Sequence, residues 1–173
     1  MPLVSVFGSG VMTADSADYQ SAEAVGAALA KANYRVATGG YGGAMEAVSK
    51  GVNRAQGNVI GVTCQEFHSK ANAFLTEEIS AKTFKDRIFQ LITMADAYVI
   101  LPGGMGTLCE IAVSWEMSRK HLMKEKPLLF YGNYWKQRLE AMMHDFADGV
   151  ILRSVQTPEE MINCLKEYDF ESH

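Results

Sequence analysis

Cysteine is scarce in this chain of 173 residues. Cys64, Cys109 and Cys164 are odd in number and far apart. That spacing excludes a disulfide framework and a cysteine-based zinc site. Basic residues are few as well. Sixteen Lys and Arg stand against 20 Asp and Glu, giving a net charge of −4, and no basic run occurs. Binding to nucleic acid needs a Lys/Arg patch, so nucleic acid is not expected as a partner. Any anionic ligand has to be held locally. No apolar run approaches the roughly 20 residues of a membrane helix, so no membrane partner is expected. The N-terminus MPLVSVFGSG enters a strand-like segment at once, without a basic leader or cleavage site. The expectation is a cytoplasmic protein. Repeats, low-complexity tracts and linkers are absent too, which predicts one domain over residues 1–173. His68, His121, His144 and His173 show no ligand spacing, and no metal site is expected.

What the chain does have is alternation. Hydrophobic residues make up 48% of it. Strand-like runs at Leu3–Phe7, Tyr34–Ala37, Asn58–Thr63, Ala97–Leu101 and Pro127–Tyr131 alternate with helical patterns. The helices are expected over Asp18–Ala32, Ala44–Ala55, Thr83–Met94, Thr107–Lys120 and Tyr134–Phe146. A last helix starts at an N-cap Thr157, with Pro158 at N1 and Glu160 at N3. Glu77–Ser80 reads as a short strand, and Cys64–Thr76 as a loop over the site. The pattern predicts an α/β fold: a doubly wound, mostly parallel sheet with helices on both faces. Ligands of such folds bind beyond the carboxyl ends of the strands.

Three strands end there in glycine turns. They are Gly8-Ser9-Gly10, the run 38–43 (TGGYGG) and the run 102–107 (PGGMGT). Glycine lets a ligand approach the main chain, and N–H groups at a following helix start favour an anion. Gly39, Gly40 and Gly43 of the second turn and Gly103, Gly104, Met105, Gly106 and Thr107 of the third are the candidate phosphate-binding residues. None of the turns carries G-x-G-x-x-G, and no phosphate loop of the G-x-x-x-x-G-K-[ST] type occurs.

PGGMGTLCE (102–110) matches the P-G-G-x-G-T-x-x-E motif of the LONELY GUY family, long labelled "possible lysine decarboxylase". TGGYGGAMEAVSKGV (38–52) is similar to that family's second glycine segment, and VFGSG (6–10) to its opening turn. The resemblance spans about residues 3–155. It implies a Rossmann-like fold, usually a homodimer, without a cofactor. The implied activity is hydrolysis of the N-glycosidic bond of nucleoside 5′-monophosphates such as AMP. The products are a free base, a cytokinin in plant-type members, and ribose 5-phosphate. The implied catalytic pair is Arg87, in FKDRIFQL, and Glu110. The family usually has Arg-Lys where this chain has Arg87-Ile88, with Lys85 nearby. The helix after the motif, carrying Trp115 and Met117, is the implied dimer contact.

A carboxylate beside ribose C1′ stabilises the cation-like transition state and activates water. Glu110 is expected in a first helical turn near the phosphate, and Arg87 as a bidentate ligand for phosphate or sugar. The blander alternatives are a helix-dipole carboxylate for Glu110 and a surface pair with Asp86 or Asp96 for Arg87. Glu46, in the first turn of its helix, is a substrate contact or a structural carboxylate. Cys109, near a helix start, is expected in the core. Two other functions compete with hydrolysis: a carrier of a phosphorylated cofactor such as the molybdenum cofactor, and a pyridoxal-dependent decarboxylase, for which no lysine is marked.

Overall fold

Leu3–Phe7 (β1) is buried at every position, as a strand covered on both faces must be. The computed structural model describes residues 1–146, 150–168 and 170. Among these, β1 lies in the middle of a seven-stranded sheet with Arg35–Thr38 (β2), Val59–Cys64 (β3), Glu77–Ala81 (β4), Ala97–Ile100 (β5), Leu128–Tyr131 (β6) and Leu152–Val155 (β7). The order is β4-β3-β2-β1-β5-β6-β7, and every neighbouring pair is parallel. This is the Rossmann-like α/β architecture that the alternation predicts.

Two apolar clusters sandwich the sheet. On one face lie Ala17–Lys31 (α1), Ala44–Arg54 (α2) and Pro158–Glu167 (α6), packing through Val25, Leu29, Val48, Val52, Met161 and Leu165. On the other lie Phe84–Thr93 (α3), Met105–Arg119 (α4) and Tyr134–Phe146 (α5), packing through Leu91, Ile92, Ile111, Trp115, Trp135 and Leu139. The sheet is built outward from β1 in one direction and from β5 in the other. With right-handed crossovers, α1 and α4 therefore leave on opposite faces. A crevice opens between the carboxyl ends of β1 and β5. Ser9 N–H donates to Pro102 O across it at 3.0 Å.

Several helices start as the sequence suggests. Thr157 Oγ1 accepts from Glu160 N at 3.1 Å, with Pro158 in the first turn. Ser16 and Thr83 cap α1 and α3 in the same way. Three expectations need correction. Strand β7 carries Arg153 and Ser154 on a half-exposed sheet edge, so it has no apolar signature to read. Helix α4 begins at Met105, two positions before the expected Thr107, because Gly104 is its N-cap and Gly106 lies inside its first turn. Trp115 is buried in the core at 6% exposure, so it offers no surface to a second copy. The loop after β3 spans the parallel crossover to β4 without a helix. It is clamped to the second glycine turn: Asn72 N donates to Gly40 O (2.8 Å) and Asn72 Nδ2 to Tyr41 O (3.0 Å).

Helices α1 and α2 cross backbone to backbone. A Cβ at Gly26 would overlap the Val48 carbonyl, and one at Gly51 the Glu23 carbonyl. Helix propensity favours Gly51→Ala by about 1 kcal/mol. A main-chain oxygen cannot rotate away, so the overlap costs about 3 kcal/mol, at the upper end of overpacking penalties. Gly51→Ala is expected to lower Tm by about 4–8 °C in thermal denaturation. An unchanged or higher Tm would mean that the helices separate freely.

Candidate active site

Arg87 sits one turn into α3, which Thr83 caps. The far end of the helix is also secured. Ser5 Oγ donates to Leu91 O and Tyr98 Oη to Ile92 O, both at 2.7 Å. Lys126 Nζ, whose pKa burial lowers, donates to Ile92 O and Thr93 O, both at 3.2 Å. These bonds satisfy carbonyls that a helix end leaves open and fix the helix that carries Arg87.

Arg87 is only 6% exposed. Its Nε donates to Val62 O at 2.9 Å and its Nη2 to Gly39 O at 3.1 Å. Met45 Sδ lies 3.9 Å from Nη2. The rings of Tyr41 and Phe67 stand 5.6 and 5.7 Å from Cζ. The surface-arginine alternative is thus excluded. Asp86 accepts instead from Thr83 Oγ1, and Asp96 from Leu3 N, both at 2.8 Å. Protein carbonyls take Nε and one of the two Nη2 hydrogens, so a ligand would meet Arg87 through the remaining Nη1 and Nη2 donors. Of these, Nη1 lies 3.8 Å from Glu110 Oε1. Gly39 is glycine for this reason: a Cβ there would overlap Nη2 and come within 2.5 Å of Met45 Sδ.

Glu110 belongs to the second turn of α4, not the first, which carries no acidic residue. Helix-dipole stabilisation therefore does not account for it. Its side chain is buried, and burial pushes its pKa up to about 7 while Arg87 pulls it down. At 3.8 Å the two groups are not hydrogen-bonded, so desolvation prevails over the attraction. A carboxyl balanced near neutrality in a fixed setting suits proton transfer.

The turn beside it is unusually bare. Gly104 gives α4 no side-chain cap. Helices α1, α2, α3 and α6 carry Asp18, Glu46, Asp86 and Glu159 in their first turns, whereas α4, like α5, has no such acid. Its positive end is left for something else. A Cβ at Gly104 or Gly106 would meet nothing within 4 Å. Gly106 therefore costs helix stability of about 1 kcal/mol without a packing reason inside the chain. Met105 projects outward and is exposed. Gly103 differs, because a Cβ there would overlap Thr107 Oγ1, and Thr107 is itself buried.

The second turn is packed rather than bare. Gly40 (φ +78°) lies against Thr63 and Gly61. Gly43 (φ +66°) lies against Ser9 and Gly10, where Ala44 N donates to Ser9 O at 2.7 Å. Glu46 accepts from Tyr19 Oη at 2.9 Å. Burial, then that bond, push the Tyr19 pKa up to about 12.

A cleft of about 460 Å³ opens on the crevice, lined by Ser9, Met12, Asp18, Gly103, Gly104 and Tyr134 among others. Arg87 and Glu110 do not line it; they occupy the α3/α4 side. Sequence reading named neither the cleft residues Asp18 and Tyr134 nor the rings of Tyr41 and Phe67. Tyr41 had a signal in its place inside the TGGYGG run. Phe67 had none.

The remaining candidates are placed as follows. Ile88 points into the core beside Leu91 and Ile92, and Lys85 is exposed. Cys109 is half-buried, packed against that same core. His68, His121 and His144 are exposed, and His173 lies outside the described residues. Among the described residues, no group of three His, Cys, Asp or Glu could hold a metal, and no helix is long and apolar enough to cross a membrane.

Comparison with known proteins adds the family. The model of the SLOG cluster4 family matches residues 1–162. A Rhodococcoides fascians protein named cytokinin riboside 5′-monophosphate phosphoribohydrolase is 30% identical over 157 residues, covering 86% of this chain and 77% of that protein. The crystal structure of the protein TM1055 superposes with a TM-score of 0.84 at 27% identity, covering 97% of this chain and all of the other. The molybdenum cofactor binding protein of Rippkaea orientalis shares the fold, with a TM-score of 0.78 at 24% identity over 96% of each chain. The matched model and the motifs at 38–52 and 102–110 agree, and the chain belongs to the SLOG cluster4 family of LONELY GUY-like proteins.

Proposed function

We propose that the protein hydrolyses the N-glycosidic bond of a nucleoside 5′-monophosphate, AMP being the simplest case, to a free base and ribose 5-phosphate. One observation carries this reading. A buried carboxyl with a pKa near 7, Glu110, faces a fixed guanidinium and follows a bare helix start on the same helix. In this reading the main chain around Gly103–Thr107 takes the phosphate. Ribose C1′ then lies against Glu110. As the C1′–N bond breaks, the bonding pair leaves with the base, and the ionised carboxylate stabilises the cationic sugar. Water oxygen bonds to C1′, one water proton passes to Glu110, and the departing base nitrogen takes up one proton from solvent while Glu110 releases the one it gained. Arg87 acts mainly through Glu110, holding enough of it ionised. The packed glycines Gly39, Gly40 and Gly43 shape the turn beside Arg87, and Glu46 ties the helix that follows it to α1 through Tyr19.

A second reading, a carrier that binds a phosphorylated cofactor without cleaving it, is favoured by Ile88, whose core position supplies no ligand-binding cation. Incubation with a panel of nucleoside monophosphates, assayed for ribose 5-phosphate, separates the two. Tight binding without release selects the carrier. The exposed ring of Phe89 on α3 also supports a homodimer, which light scattering at micromolar concentration checks.

Glu110→Gln is expected to cut turnover of AMP by about 100-fold or more while sparing affinity. Its stability signature is equally specific. The raised pKa means that the folded protein binds this proton more tightly than the unfolded chain does. The resulting stabilisation is full below pH about 4.5 and is lost as pH rises through about 7. The variant should therefore gain Tm relative to the natural protein between pH 5 and pH 8. A difference independent of pH would show that the carboxyl titrates normally.

Gly39→Ala places a methyl where Nη2 of Arg87 lies. It is expected to leave the far-ultraviolet circular dichroism unchanged and to lower kcat/KM by about tenfold or more, through the displaced guanidinium. Full activity in this variant would remove Arg87 from the mechanism.

A further inference from the structure

The hydrolase reading leaves open what the site does with the leaving group. Three aromatic rings run outward from the Arg87–Glu110 pair. Tyr41 is buried, and Phe67 follows with its centroid 5.8 Å away. Phe84 comes next, 5.7 Å from Phe67. Phe67 is 38% exposed and Phe84 40%. A single exposed ring on a protein surface needs no explanation. This one differs in where it is and how it is held.

Phe67 is fixed from both sides. Its N–H donates to Cys64 O at 3.1 Å, closing a turn directly after β3. Gln65 N donates to Ala81 O at 2.9 Å. The Glu66 carboxylate accepts from Phe84 N at 2.7 Å, tying the turn to the start of α3. Tyr41 Oη accepts from Cys64 N at 2.7 Å. The ring is thus held beside the buried Arg87 by backbone bonds on three elements, yet it belongs to neither apolar cluster and stays half-exposed. Arg87 Cζ lies 5.7 Å from its centroid, and the same guanidinium reaches toward Glu110.

We propose that Phe67, backed by Tyr41 and flanked by Phe84, is the wall on which the nucleobase stacks. The inference rests on the hydrolase reading. With C1′ against Glu110, a planar base bonded to C1′ can reach the half-exposed Phe67 ring, whose neighbour Arg87 faces Glu110; aromatic rings attract at centroid separations of roughly 4.5–7 Å. Stacking tolerates any base with a π-face. It selects for a planar nitrogen heterocycle and against a nonaromatic leaving group. Which heterocycle is preferred is then set by the edge contacts, not by this wall.

The test compares Phe67→Ala and Phe67→Trp with the natural protein. Two quantities are measured: kcat/KM for AMP, and the affinity of ribose 5-phosphate, which carries no base. Phe67→Ala is expected to lower kcat/KM by about tenfold or more, with ribose 5-phosphate affinity unchanged within twofold. Phe67→Trp should retain most of the activity. Unchanged kcat/KM in Phe67→Ala overturns the proposal, as does a parallel loss of ribose 5-phosphate affinity. A change of mass by light scattering in Phe67→Ala also overturns it, since the ring would then serve a second copy of the chain. If the natural protein binds AMP but releases no ribose 5-phosphate, the hydrolase reading fails on its own. The wall is then tested by calorimetry of Phe67→Ala, and it stands only if AMP affinity falls while ribose 5-phosphate affinity does not.

Discussion

A guanidinium removed from water has to be satisfied by the protein around it, and much of this site follows from that requirement. Arg87 donates to the carbonyls of Val62 and Gly39, so α3 is joined to the carboxyl ends of β3 and β2. Gly39 has no side chain because the guanidinium occupies that space. Tyr41 and Phe67 flank the cation, and Met45 sits beside it. What the carbonyls leave unused faces Glu110. An arginine held in this way is a fixed charge more than a ligand hook. It sets the electrostatics of its neighbour and loses little entropy when substrate arrives.

Two opposing forces act on Glu110, and their balance gives the site its chemistry. Burial favours the protonated carboxyl, and Arg87 favours the ionised one. Burial is the larger, so the pKa rises to about 7. A closer, hydrogen-bonded pair would hold the carboxyl ionised and inert as a proton acceptor near neutral pH. Charge partners at 3.8 Å leave it poised between the two states. The cost is borne in stability, since the folded protein resists ionising this group as pH rises.

The two glycine turns look alike in sequence and behave differently in space. In the run 38–43, the missing side chains make room for protein: Arg87 at Gly39, β3 at Gly40 and the first turn at Gly43. In the run 102–107, Gly104 and Gly106 make room for nothing in the chain. There the exposed main chain coincides with an uncapped helix start that lacks an acidic residue. Composition cannot separate these cases, because a glycine records that a side chain is absent and not what fills the space.

The sequence by itself determined the doubly wound sheet, because buried parallel strands and amphipathic helices each leave a local period. It determined the helix start at Thr157 through its capping chemistry, and its resemblance to the LONELY GUY family marked Glu110, inside the P-G-G-x-G-T-x-x-E motif, and Arg87, outside it. It missed β7, where an edge strand with Arg153 and Ser154 needs no apolar signature. It started α4 two residues late, because glycine propensity argued against a helix that the sheet edge imposes. It could not know that Trp115 packs inward, that Arg87 gives two of its five donors to carbonyls, or that Phe67 stands over the guanidinium. Those contacts join residues 20 to 50 positions apart and depend on where β2, β3 and α3 come to rest. A local pattern reports what a segment needs from its own neighbours, and only the folded sheet brings a buried cation, its carbonyls and a carboxyl to one place.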